Sequence, residues 1–447
     1  MRAILTFVLS LLLAAAPARA QEGGRVTVIR DAETETLLRN FSNPLFRAAG
    51  IAPGLVRIVI LKEDALNAFV STGNRMFVNT GLIIGCQSAA ELIGVLAHET
   101  GHIRGGHLAR LPEAMRNALI QSIAAMLIGA AAGVAARDSG AAAGGILGGA
   151  NMAQRNLMAF TRGMETAADQ GALLLLDRLG WSAQGMLDLF SRLSEQEALM
   201  SDLKDPYLIT HPMTRDRMET LRAHLATSPH RLARLPAGFD SAYAMMRAKL
   251  QGFLAPSSVT LRRVSETDPA APARYARAVA LFRLGHTEPA LGLIDGLIGE
   301  QPGNPWLHEL KGQILFEGGR GRAALAPLRE ASRLAPDQPL IRAALGRAMI
   351  ETNDPLLLRS AISELEFALA READDPTNWR ALATAWGRAG TIAQADLSLA
   401  EEAVINNNIR AARLLATRAA AALPPGPARQ RALDISNAVK KENRQGF

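Results

Sequence analysis

The last third of the chain repeats itself every 34 residues, and this constrains its fold more than any other feature. Gly285 and Ala290 return as Gly319 and Ala324, Pro302 as Pro336, and Gly312 as Gly346. The third copy has Asn353 in the glycine's place and three extra residues before Ala361. The fourth resumes the spacing with Gly390 and Ala395. Small residues at fixed places let two antiparallel helices approach closely, and a proline stops the second helix of each pair.

A 34-residue helix-pair period is the tetratricopeptide signature. The repeats are expected over residues 271–408, stacked into a solenoid whose concave face holds peptide. Pro424-Pro425-Gly426-Pro427 breaks the chain inside a region, 409–447, expected to cap the stack. A linker is expected over 256–270, with the domain boundary near Ala255-Pro256-Ser257-Ser258. At 447 residues the chain is too long for one core, so a separate domain is expected over 21–255. There, strand-like segments such as 55–61 and 76–78 mix with helical ones, and from Arg162 the pattern is helical. The fold class expected is α+β, a mostly helical domain with a small sheet, followed by an all-α solenoid.

The first 20 residues read as a cleavable export signal: positive Met1-Arg2, an apolar run from Ile4 to Ala16, and Ala18-Arg19-Ala20 as the cleavage site. The mature chain would begin at Gln21 and work outside the cytoplasm. Cys86 is the single cysteine, so an intramolecular disulfide is excluded. The formal net charge of +7 is spread thinly, and aromatics are only 4%. With no basic block interleaved with aromatics, nucleic acid is not an expected partner.

The sharpest chemical signal is His98-Glu99-Thr100-Gly101-His102 at the end of an apolar run. Ser88 and Glu91 have capping-box spacing, so a helix starts there. His98 and His102 then lie one turn apart on one face and can hold a single zinc ion. Glu99 can reach a water beside that zinc without binding the metal, and Gly101 is expected to leave space beside it. Downstream, Glu165-Thr166-Ala167-Ala168-Asp169 puts two carboxylates one turn apart. Glu165 can complete a two-His, one-Glu shell. Asp169 can accept a hydrogen bond from the far nitrogen of a ligand histidine and fix its tautomer. His107, five residues past His102, turns away from the metal and suits a supporting or helix-end position.

These stretches, with Asn67-Ala68-Phe69, Gly81-Leu82, Glu91-Leu92, His107-Leu108-Ala109-Arg110, Arg162 through Asp169, and His211-Pro212 with Arg217, form a recognisable whole. The chain resembles the zinc metallopeptidase family that includes the CAAX prenyl endopeptidases and the heat-shock protease HtpX. The resemblance implies one zinc ion per chain, with His98, His102 and Glu165 as ligands and Glu99 as general base. It also implies that Arg75 to Asn79 is an edge strand above the zinc. Met76, Phe77, Val78 and Asn79 would then pair with extended substrate. Joined to an export signal and these repeats, the resemblance implies a periplasmic zinc endopeptidase in quality control of outer-membrane proteins. Its partners would be unfolded or misassembled outer-membrane proteins and, through the repeats, the barrel assembly machinery. A chaperone-like role of the repeats goes with it. The alternative is a repeat-based periplasmic chaperone or adaptor with a latent or vestigial peptidase domain.

Two segments leave readings open. His211 sits in a proline-marked loop with Arg217 six residues on, and both are expected among the catalytic residues. His211 suits an oxyanion helper, a latch on the zinc's open position, or a structural turn histidine. The stretch Asn117 to Ala136 is uncharged over 20 residues but only weakly apolar. It reads as an amphipathic helix within a helical Ala/Gly-rich insertion, 112–155, that shields the cleft and touches the membrane surface.

Overall fold

The computed structural model describes residues 27–117, 120, 124, 139–199, 211 and 214–445. The expected export signal lies outside the described residues. So does nearly all of the 117–136 stretch, and with it the expected membrane contact. Among the described residues no helix is long and apolar enough to cross a membrane.

The first domain builds a four-stranded sheet from β1 (Val28–Ile29), β2 (Arg57–Leu61), β3 (Ala68–Ser71) and β4 (Arg75–Asn79). Spatial order is β1-β2-β4-β3, with β2 and β4 parallel and the outer pairs antiparallel. The β3–β4 hairpin turns on three residues, with Gly73 and Asn74 both left-handed, at φ 77° and 53°. This topology corrects the expected edge strand. Arg75–Asn79 pairs along both sides, and its Met76 and Val78 are fully buried. Among the described residues the free edge beside it belongs to β3. Residues 79–81 carry the chain straight from β4 into a short helix, α2 (Thr80–Gly85).

Around the sheet pack α1 (Ala32–Ala48), α3 (Ala89–Gly105), α4 (Ser139–Leu179), α5 (Gln184–Leu199), α6 (Arg215–Thr227) and α7 (Phe239–Leu254). The expected capping of α3 holds: Ser88 Oγ accepts from the Glu91 N–H at 3.2 Å, and Glu91 accepts from the Gln87 N–H at 2.8 Å. Glu91 is then fixed by a half-buried pairing with Arg192. The helix is buried from Ala89 to His102 except at Ala90, so its polar residues sit in the core by construction rather than by accident of surface. Of the expected insertion, residues 112–117 are helical, and 139–155 are the first turns of the same 41-residue helix that carries Glu165.

From Ala271 onward the chain is a stack of antiparallel helix pairs. The pairs are Ala271–Arg283 with Thr287–Glu300, Pro305–Glu317 with Gly321–Leu334, Pro339–Glu351 with Leu358–Arg371, and Pro376–Arg388 with Ile392–Ile405. A fifth pair, Ile409–Ala422 and Pro427–Gln445, closes the stack. Gly285, Gly319 and Gly390 all take left-handed φ between the helices of a pair, and so does Asn353, at φ 54°. Asparagine tolerates that conformation better than other side chains, which explains its place in the third copy. The three extra residues there form a 3-10 turn, Pro355–Leu357.

The two domains share a seam. Part of the expected linker, Ser257–Arg263, is helix. α7 puts Tyr243, Met246 and Leu250 into the first core and Met245 into the second. At the seam Lys249 Nζ lies 2.6 Å from Asp31 and 3.4 Å from Glu309, and the Tyr275 hydroxyl donates to Glu33 at 2.9 Å. Gln338 donates to the Ala32 carbonyl and to Thr36 Oγ1.

Candidate active site

The site forms where α3 crosses α4, and the sequence dictates how closely they cross. A Cβ on Gly101 would come within 2.5 Å of the Ala168 carbonyl oxygen, and one on Gly171 within 3.3 Å of Gly101 Cα. The space expected beside the metal at Gly101 is therefore filled by the α4 backbone. Its effect is to bring Glu165 and Asp169 against the two histidines.

His98 Nε2 and His102 Nε2 face each other at 3.0 Å. Glu165 bridges them, with oxygens 3.3 and 3.4 Å from those nitrogens. His211 completes the group, its Nδ1 3.3 Å from His98 Nε2 and 3.1 Å from Glu165. Donor atoms of His98, His102, Glu165 and His211 all lie within 4.8 Å of one another, and all four residues are buried. On the far side of His98, Nδ1 donates to Asp169 at 2.9 Å, as the one-turn spacing of Glu165 and Asp169 predicts. Arg217 grips Asp169 with two hydrogen bonds, 2.6 and 2.9 Å, and lies 3.2 Å from Glu165. Arg217, expected to be catalytic, thus holds Asp169 and stands beside Glu165. Its guanidinium also lies over the Phe190 ring, which meets His98 edge-on. Nothing in the sequence distinguishes Phe190 from an ordinary core residue.

The electrostatics fit a cation at the centre. Ring nitrogens at 3.0 Å repel unless a proton or a metal lies between them. Burial alone would depress His98, but the carboxylates of Asp169 and Glu165 prevail and raise its pKa to about 9. His102, desolvated and beside a charged His98, is pushed down to about 4. Burial would raise Glu165, yet the surrounding imidazoles hold it far below the usual carboxylate range. Positive charge is thus favoured where the donor atoms converge. Two imidazole nitrogens with one carboxylate oxygen is a donor set that zinc takes in hydrolytic sites.

Glu99 is fully buried, and burial raises its pKa above the ordinary glutamate value. The Val70 N–H of the edge strand β3 faces its carboxylate, and His211 Nε2 lies 3.5 Å away. Of the expected substrate strand, Met76, Val78 and Asn79 are buried, and Asn79 is tied to the Ala65 carbonyl. The strand over Glu99 is β3. His107 takes the supporting, helix-end position expected of it: just past the end of α3, its Nδ1 lies 3.0 Å from His102 Nδ1, the nitrogen away from the donor cluster.

Residues 32–225 match the family model described as Peptidase family M48, a span that contains every residue of the site. The chain is 26% identical over 384 residues to a Yersinia pestis protein named beta-barrel assembly-enhancing protease, covering 84% of this chain and 76% of that one. It is 24% identical over 338 residues to the protein of that name from Escherichia coli strain K12, covering 73% and 66%. To the mitochondrial metalloendopeptidase OMA1 of Schizosaccharomyces pombe it is 28% identical over 166 residues, covering 37% and 45%. The metallopeptidase resemblance carried by the motifs is thus matched by a family model over residues 32–225 and by relatives of that description over up to 84% of the chain.

Proposed function

We propose that the chain is a periplasmic zinc-dependent endopeptidase acting in quality control of outer-membrane proteins, and that His211 holds it latent. One observation carries the catalytic reading: His98, His102 and Glu165 surround a single point, with the buried Glu99 carboxylate beside it.

A zinc ion held by those three residues supplies Lewis acidity for attack of water on a peptide carbonyl. Glu99, with its pKa lifted by burial, accepts the proton of the attacking water and delivers it to the departing amine. Asp169 fixes the Nδ1–H tautomer of His98, so that Nε2 presents its lone pair inward. The free edge of β3 lies beside Glu99, and an extended substrate adding there would place its main chain across the site with little demand on its side chains.

His211 Nδ1 lies within the donor cluster, 3.3 Å from His98 Nε2 and 3.1 Å from Glu165, where it would compete with a substrate carbonyl. This supports the latch reading over the oxyanion helper, because a helper would lie beside the cluster rather than within it. The outer-membrane substrate class follows the resemblance read from the motifs, the export signal and the repeats, and the Yersinia and Escherichia relatives are named for beta-barrel assembly. The repeats, and the barrel assembly machinery as their partner, belong to the same reading, as does a chaperone-like role while the enzyme is latched.

The test is cleavage of an unfolded outer-membrane barrel protein by the purified full chain with zinc. Wild type or His211→Ala should cut, with His211→Ala faster, and Glu99→Gln should retain zinc but lose activity by at least about a hundredfold. An equal rate for His211→Ala with and without Glu99→Gln would remove Glu99 as the base. A slower His211→Ala enzyme would reject the latch.

A further inference from the structure

We infer that His107 is a positioning residue for the zinc ligand His102. The inference rests on the proposed zinc site and adds to it the group that fixes the second histidine. The two ligand histidines are supported differently. His98 is held from behind by Asp169, itself clamped by Arg217. Among the described residues the corresponding nitrogen of His102 meets an imidazole in place of a carboxylate. It faces His107, Nδ1 to Nδ1 at 3.0 Å, with the rings edge to face.

Residues five apart on a continuous helix point about 140° away from each other, so this contact needs a break. Gly105 and Gly106 supply it. Gly106 takes the left-handed conformation, φ 61°, and ends α3 with its N–H bonded back to His102 and Ile103. Gly105 leaves the room: a Cβ there would lie 2.3 Å from His107 Nε2. The break returns the His107 ring over His102, and the ring is buried.

The hydrogen bond has one consistent polarity. His102 Nε2 faces His98 and Glu165, so its lone pair belongs there and its proton on Nδ1. His102 Nδ1–H donates and His107 Nδ1 accepts, which places the His107 proton on Nε2. His107 thereby selects the tautomer of His102 that can bind metal and fixes the ring's rotation.

The measurement is the zinc dissociation constant of the full chain by competition with a chromophoric chelator, alongside the unfolding midpoint of each metal-free protein. His107→Ala should weaken zinc by about ten- to a hundredfold. His107→Asn, whose side-chain oxygen takes the place of Nδ1, should restore most of that loss. Wild-type affinity in His107→Ala, or binding by His107→Asn as weak as by His107→Ala, overturns the inference. If His107→Ala does not fold, two-bond proton–nitrogen NMR correlations of metal-free wild type decide instead: an unprotonated Nδ1 on neutral His102 overturns it. A wild-type chain that binds no zinc at these residues rejects the metal reading itself, and this inference with it.

Discussion

At the residue scale, the site works by placing each polar group where only one role is open to it. Asp169 could have been a ligand, yet Arg217 takes both of its oxygens and leaves it to hold His98 Nδ1. Arg217 and His98 together outweigh burial and keep Asp169 ionised well below its ordinary pKa. Asp169→Asn keeps the shape but weakens that hydrogen bond. It should lower zinc affinity about tenfold, measured by the same competition titration, while Glu165 and His102 remain in place. Unchanged affinity would mean that α3 packing alone orients His98.

At the element scale, close helix approach is built from missing side chains, and the repeats show this as clearly as the site does. A Cβ on Gly312 would lie 2.5 Å from Leu328 Cγ on the partner helix, whereas one on Gly292 would meet nothing within 4 Å. Both glycines are inside helices. Gly312→Ala should therefore cost about 1–3 kcal/mol through overpacking. Gly292→Ala should gain about 0.5–1 kcal/mol from reduced backbone freedom in the unfolded chain. Denaturant midpoints of the two variants should move in opposite directions. A loss of similar size at both positions would show that spacing between helices is not what Gly312 serves.

For the whole molecule, the seam between the first domain and the repeats gathers one buried and two half-buried acids about one lysine. Around Lys249 stand Asp31, Glu33 and Glu309, with the Tyr275 hydroxyl on Glu33. Burial, only partly offset by Lys249, lifts Glu33 from 4.5 to about 7, and Glu309 shifts upward for the same reason. A carboxyl with a raised folded pKa contributes fully below its unfolded value and loses that contribution as pH rises through the folded one. Stability from this group is thus present near pH 4.5 and lost by about pH 7 to 8. Asp31 is shifted downward and Lys249 upward, so their windows lie below and above this one. Glu33→Gln keeps an acceptor for Tyr275 and removes the titration. Its unfolding midpoint should gain on wild type between pH 5 and pH 8; a constant difference would place the proton elsewhere.

Periodicity made the repeats legible: a 34-residue spacing of small residues is a statement about where two helices must touch, and even Asn353 and the three added residues fell where it put them. The motif spacings of His98, His102, Glu165 and Asp169 were equally legible, because one helical turn puts residues on one face whatever lies around them. Strand order was not legible. Hydrophobic alternation marks β4 as a strand but cannot say which neighbours it pairs with, and the free edge passed to β3 through the β2–β4 parallel pairing. The supporting position of His107 was legible, but the atom it meets was not, since Gly105-Gly106 says that a helix breaks and not where the chain goes next. His211 lay open among three readings, and its tertiary placement against Glu165 and His98 decided which atoms it meets. Local spacing fixes which residues of one element share a face; contacts between elements depend on non-local packing, and the chain writes that only once it has folded.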